Sequence, residues 1–267
     1  GNMLLRSGGE IGYHGYNHQP LSPKSLDYKG AYSYHTWDES AMISAMKELV
    51  RFNEQLFPNV EKSVYVPPSN VLSPEGRAVL THEIPEVKTI ASTYFPGDFA
   101  YAQEFEWAAD GMVEQPRVIS GGIIDDFMQL AAFSELNLHF VNSHFIHPDD
   151  PLDSDRGAEL GWGTLKENLE HYISWLKESA PSLRDLTGSQ LSGAVQRYAA
   201  LAPKQEVTST GIQWTFEHFY DEVYLFVRIN EGQVGSHVNG GTLTHLTGNL
   251  YLLKATQAKV SMDWSEE

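Results

Sequence analysis

A chain of 267 residues that is 41% hydrophobic, 20% charged and 12% aromatic has the composition of a folded protein with a sizeable core, either one large domain or one of about 200 residues with an appendage. Its 18 Lys and Arg against 35 Asp and Glu leave a formal charge of −17, which repels a phosphate backbone and excludes nucleic acid as the expected partner. No apolar run approaches the roughly 20 residues of a membrane span, the first residues lack the basic-then-apolar order of a signal peptide, and the absence of Cys removes disulfides and thiolate metal sites without fixing a compartment.

The segment Gly8-Gly9-Glu10-Ile11-Gly12-Tyr13-His14-Gly15-Tyr16-Asn17-His18 is dense in glycine and imidazole, and coming so soon after Gly1-Asn2-Met3 it suits a chain cut from something longer. A polar stretch from Gln19 to Tyr34, with Ser22-Pro23 and Lys29-Gly30, reads as a long loop. Thr36 to Glu39 has the form of a capping box, and Ala41, Met42, Ala45, Met46 and Leu49 repeat at helical spacing up to Pro58, so an amphipathic helix is predicted there. Ser63-Val64-Tyr65-Val66 is a short strand stopped by Pro67-Pro68, and Ser73-Pro74-Glu75 places a cap, a first-turn Pro and an acid in the order that starts a helix.

A strand near Lys88 to Ser92, a helix near Ile123 to Leu136, a strand from Leu138 to Asn142 and a helix from Thr164 to Ala180 follow. This alternation predicts an α/β domain with parallel strands over residues 1–203. From Lys204 the period changes to two: Ile212, Trp214 and Phe216 alternate, as do Val223, Leu225, Val227 and Ile229. With Leu250 to Leu253 and Val260 to Trp264 they predict four or five strands of a small antiparallel β module over residues 204–267.

His14 and His18, four residues apart, are the sharpest chemical pair. Imidazole suits zinc, cobalt, nickel and iron, and two ligands on one loop need less ordering than two from distant segments. The spacing alone describes two polar surface residues just as well. The whole segment, however, resembles the second motif of the NodB-homology polysaccharide deacetylases, Gly-x-Glu-Ile-Gly-x-His-[Ser/Thr]-x-x-His, with Gly15 at the Ser or Thr position. That resemblance implies a distorted (β/α) barrel, incomplete over this chain, in which His14 and His18 join an aspartate to hold a divalent metal, usually zinc.

Other motifs of that family are recognisable in altered form. Val66-Pro67-Pro68-Ser69-Asn70 sits where the third motif lines the substrate groove, which makes Pro67, Pro68, Ser69 and Asn70 candidates for substrate binding; Val66 replaces the Arg that normally orients the catalytic carboxylate. The fifth motif is an apolar strand ending in an imidazole that acts as general acid. Both His144 and His147 fit it, His147 being favoured because His147-Pro148-Asp149-Asp150 opens a polar loop at the strand's exit; a hydrogen-bonded His in a packed strand end is the alternative for either. The first motif, a strand followed by two aspartates serving as base and metal ligand, should precede the second, and residues 1–7 do not contain it. Asp125-Asp126 after Gly121-Gly122-Ile123-Ile124 copies its outline and supplies two further catalytic candidates, although acids at a predicted helix start also favour the dipole.

The cluster Asp149, Asp150, Asp153 and Asp155 lacks the Gly and terminal Glu of a calcium loop and reads as a solvated loop. Of the tryptophans that could stack on sugar, Trp107 and Trp175 are weaker candidates than Trp162 in Gly161-Trp162-Gly163. By resemblance the expected activity is a metal-dependent carbohydrate esterase removing N- or O-acetyl groups from a polysaccharide, in an extracellular or cell-envelope setting. A non-catalytic carbohydrate-binding or scaffolding protein on the same barrel, or a glycoside hydrolase on a related one with paired carboxylates, are the alternatives.

Overall fold

The structure is a computed structural model describing residues 2–23, 27–28, 32–33, 37–94 and 103–265; the expected Lys29-Gly30 turn and the Thr36 cap lie outside these residues. The chain divides into two compact units, Gly1–Val195 and Gln196–Glu267.

In the first unit a short helix α1 (Asn2–Arg6) precedes the imidazole segment. Where a loop is expected, β1 (Asp27–Tyr28) and β2 (Tyr32–Ser33) pair as an antiparallel hairpin. Helix α2 (Glu39–Leu56) starts at Asp38, whose carboxylate accepts from the Ala41 N–H at 2.8 Å. Met42 and Met46, one turn apart, are completely buried. Strand β3 (Val64–Tyr65) ends at the two prolines, and α3 (Pro74–Glu83) is capped by Ser73 as its sequence foretells. Next come β4 (Thr89–Ala91), β5 (Glu106–Trp107), β6 (Val113–Gln115) and β7 (Ile119–Ser120). Helix α4 (Asp126–Leu138), β8 (His144–Phe145), α5 (Gly161–Ser179) and α6 (Gly188–Ala200) complete the helical part of the chain.

Strands β3, β4 and β6 run parallel, with β5 antiparallel at the outer edge, and β7 pairs in parallel with β8. The register Tyr65–Ile90–Glu114 faces a core built from Met42, Met46, Val79 and Leu80, while Thr89 and Gln115 on the opposite face meet Ser192 of α6. Both faces are therefore covered, as parallel strands require. This is a mixed α/β arrangement, and among the described residues no barrel closes.

Two expectations need correction. The strand placed at Leu138–Asn142 is not formed: Leu138 ends α4, the His139 N–H bonds the Glu135 carbonyl at 2.8 Å as its C-cap, and the strand begins only at His144. Leu136, Leu138 and Phe140 alternate with Asn137 and His139 as in a strand, but the helix begun at Asp126 runs on through Leu138, and Phe140 at φ 59° interrupts an extended backbone. Helix α6 was not anticipated, because Gly188 and Gly193 are poor helix formers and Ser189 and Ser192 favour turns.

The second unit contains seven strands rather than four or five: β9 (Ala202–Val207), β10 (Gly211–Glu217), β11 (Val223–Arg228), β12 (Gln233–Asn239), β13 (Gly241–Thr247), β14 (Leu250–Ala255) and β15 (Lys259–Ser265). They form two antiparallel sheets, ordered β12-β15-β10-β9 and β11-β14-β13. Ile212, Trp214 and Phe216 from one sheet share a core with Val223, Val227 and Leu253 from the other. The three unforeseen strands, β9, β12 and β13, all lie at sheet edges, where less side chain is buried and the alternation is weak.

Candidate functional site

The imidazole segment runs along the open edge of β3. The Tyr13 N–H bonds the Val64 carbonyl and the Val66 N–H bonds the Tyr13 carbonyl, each at 2.8 Å, forming a parallel bridge. A side chain at Gly12 would put Cβ 2.7 Å from the Val64 carbonyl oxygen, so only glycine permits this approach. With Tyr13 buried, His14 emerges at the carboxyl end of the strand. Its Nδ1–H donates to the Val66 carbonyl at 2.9 Å. A carbonyl only accepts, so the proton sits on Nδ1 and the Nε2 lone pair is the one available to a ligand.

Gly15, at φ 69°, then turns the chain, and Tyr16–His18 form one 3-10 turn with Asn17 and His18 in the left-handed region. The turn returns the His18 ring to 4.8 Å from the His14 ring, edge to face. Partial burial of its ring, followed by the charges of His14 and His147, holds His18 below the ordinary imidazole range. Both effects favour the neutral imidazole that binds metal.

The departure at Gly15 has a steric cause. A Cβ there would lie 2.6 Å from Pro68 Cγ, so the second proline of the Val66-Pro67-Pro68 turn occupies the space that Ser or Thr would need. Gly15→Ser should lower stability by about 1–2 kcal/mol from the left-handed backbone alone. Adding Pro68→Ala should recover only the steric part, as read from urea unfolding midpoints.

His18 gives a pH prediction. Its folded-state pKa lies below the unfolded value of about 6.5, so its contribution to stability is complete above that pH and is lost as pH falls through the depressed value. The drop in unfolding midpoint between pH 7.5 and pH 5.5 should be smaller in His18→Asn than in the parent chain. Equal drops would contradict the assignment.

The other side of the site is built by β7 and β8. His144 donates from Nε2 to the Gly121 carbonyl at 2.7 Å, packs edge-on to Tyr172 and is kept neutral chiefly by burial; it fastens the exits of the two strands. His147, beyond the strand end, packs edge-on to Phe145. Its backbone N–H donates to Asp150 Oδ2 at 3.2 Å and its Nδ1 lies 3.5 Å from Asp150 Oδ1. Asp150 is only 5% exposed, and that Oδ1 is buried without a hydrogen bond, facing His147 and, at 3.3 Å, Arg156 Nη1. The acidic cluster is organised about this guanidinium, which also pairs with Asp153 at 2.6 Å and Asp149 at 3.6 Å.

A cleft of about 350 Å³ opens here, lined by Arg117, Ser120, Gly121, Gly122, Ile123, Phe145, His147, Asp150, Asp155 and Arg156. Arg117 lies over the Phe145 ring, 5.0 Å from its centroid. With its amide turned to satisfy both neighbours, Asn70 donates to the Thr93 carbonyl at 3.3 Å and accepts from Arg117 Nη2 at 3.1 Å. Sequence reasoning missed Arg117; only its place, two residues past the end of β6, marks it out.

His14 and His18 therefore stand together, His147 is near enough for its charge to reach His18, and Arg117 links Asn70 to the cleft, whose lining includes His147 but neither His14 nor His18. Pro67 leads into the turn formed by buried Pro68, Ser69 and Asn70. Other candidates go elsewhere. Asp125 caps α4 through the Met128 N–H at 2.8 Å, with Asp126 in the first turn; neither lines the cleft. Trp162 is not in a loop but in the first turn of α5, 61% exposed; Trp107 is exposed on β5, and Trp175 packs on Tyr172. Among the described residues no three His, Cys, Asp or Glu side chains gather as a metal-holding group. No helix among them is long and apolar enough to cross a membrane.

The model of a family described as an uncharacterised protein conserved in bacteria (DUF2194) matches residues 2–252. The chain belongs to this family. The match takes in the imidazole segment, the cleft and the second unit as far as β14. No curated protein and no solved structure matches the chain.

Proposed function

We propose that the first unit hydrolyses an acetyl group on a glycan, with a divalent metal held by His14 and His18 and with His147 as general acid. In this reading the open parallel sheet is part of a distorted (β/α) barrel of the polysaccharide deacetylase type. The observation that carries it is the His14 tautomer: a fixed Nδ1–H on the Val66 carbonyl frees Nε2 beside a neutral His18. Such a metal, zinc by resemblance, supplies Lewis acidity and a water acidified toward neutrality.

The proton of the attacking water would leave to solvent, and the chain's own residues would supply a proton donor and hydrogen-bond donors. His147 is oriented by buried Asp150 and gives a proton to the departing sugar oxygen or nitrogen. Arg117, stacked on Phe145 and tied to Asn70, offers N–H donors to substrate oxygens at the cleft wall. It thereby brings to the third-motif turn a guanidinium that Val66 does not provide. Asp125 and Asp126, outside the cleft lining, take no part.

A second reading, a glycan-binding protein without turnover, is favoured by the missing third ligand among the described residues. Acetylated and plain glycans incubated with zinc, and again after chelation, separate the readings. Acetate released only from the acetylated glycan and abolished by chelation is the expected result. Binding with no product would favour the second reading, and new reducing ends would indicate glycoside hydrolysis instead.

A further inference from the structure

The two sheets of the second unit present unlike outer faces. The four-stranded sheet turns Gln213 and Thr215 of β10, Lys259, Ser261 and Asp263 of β15, and Lys204 and Glu206 of β9 away from the core, as a solvated face should. The three-stranded sheet does not. Its outer face has one cross-strand row of Tyr224, Lys254 and Thr242, and a second of Phe226, Leu252 and Thr244. Phe226 is 63% and Tyr224 47% exposed, on the same side of β11.

We infer that this face is a glycan-binding platform on which Tyr224 and Phe226 stack against sugar rings. Tyr224 is held in place in advance: its hydroxyl donates to Glu222 Oε2 at 2.8 Å, Lys254 Nζ pairs with Glu222 Oε1 at 2.7 Å, and the same Nζ lies 5.6 Å from the ring centroid. A ring fixed before binding loses little entropy on contact. Around the rings stand the Lys254 ammonium and the Thr242 and Thr244 hydroxyls, groups that can bond sugar hydroxyls beside an apolar ring face.

Extent and charge choose among occupants. The two rows present six side chains, far fewer than the roughly 20–30 residues a side of a stable protein interface. In the two rows Lys254 is the charged side chain and is already paired with Glu222, so no net positive charge awaits an anionic polymer or an anionic membrane, which leaves a glycan without acid groups. The proposal rests on the glycan part of the proposed function and is independent of its hydrolytic chemistry.

Affinity electrophoresis of the full chain in gels containing glycol chitin, hydroxyethylcellulose or alginate tests it. Retardation by glycol chitin or hydroxyethylcellulose but not by alginate is expected. Tyr224→Ala and Phe226→Ala should each weaken it roughly tenfold, whereas Phe226→Trp, which keeps a ring, and Gln213→Ala on the opposite face should not. Unchanged thermal unfolding of the variants shows that the loss is not of fold; should an Ala variant unfold, Tyr224→Leu and Phe226→Leu, which keep apolar bulk without a ring, take its place and must weaken retardation likewise. No retardation in any gel, equal retardation by all variants, or binding to phospholipid vesicles in place of polysaccharide would overturn the proposal. Acetate release from soluble acetylated oligosaccharides, measured alongside, reports on the first unit separately: retardation without acetate leaves the platform standing and the hydrolase reading not.

Discussion

Replacing His14 and His18 together by Ala is expected to abolish retention of a divalent ion after dialysis and, with it, acetate release. The two imidazoles lie 4.8 Å apart between ring centroids, and the Val66 carbonyl fixes the tautomer of one of them. Changing an outer-shell partner alone typically costs 10–100-fold in metal affinity, so removing ligands should cost roughly 100-fold or more. Each single variant should fall between the double variant and the parent. Both rings reach solvent, so circular dichroism should change little and the loss can be assigned to the site. Parental zinc content in the double variant, measured by elemental analysis, would end the metal assignment.

His147→Gln should lower kcat for deacetylation by about 10²–10⁴-fold, the usual contribution of a positioned acid or base, and leave metal content unchanged. Asp150→Asn should have a smaller effect in the same direction, because it weakens the orientation of the ring without removing it. Arg156 still has Asp153 at 2.6 Å in that variant, so the loop keeps its main ion pair. A general-acid role has a second signature: a substrate with a good leaving group, such as an aryl acetate, needs little protonation and should be almost indifferent to His147→Gln. If the natural and aryl substrates lose the same factor, His147 acts by shaping the cleft and the acid lies elsewhere.

The sequence by itself determined those features in which the chemistry is local. His14 and His18 stand out from spacing and chemistry alone, two imidazoles four residues apart among glycines. Met42 and Met46, the Ser73 cap, and the alternation of Ile212, Trp214 and Phe216 likewise declare helix, helix start and half-buried strand, because period and capping are properties of a few neighbouring residues. Asp125 is read correctly as a helix start for the same reason.

What only the tertiary structure decided depends on residues distant in the chain. That the charge of His147 reaches His18, 129 residues earlier in the chain, is a property no local pattern encodes. Arg117 becomes a cleft residue only because β8 carries Phe145 beneath it and the Pro68–Asn70 turn brings Asn70 alongside. Gly15 is explained by Pro68, a neighbour in space through the bridge between Tyr13 and Tyr65. The edge strands β9, β12 and β13 are selected by their partners' hydrogen-bonding groups rather than by their own burial, so their side chains leave little periodic trace.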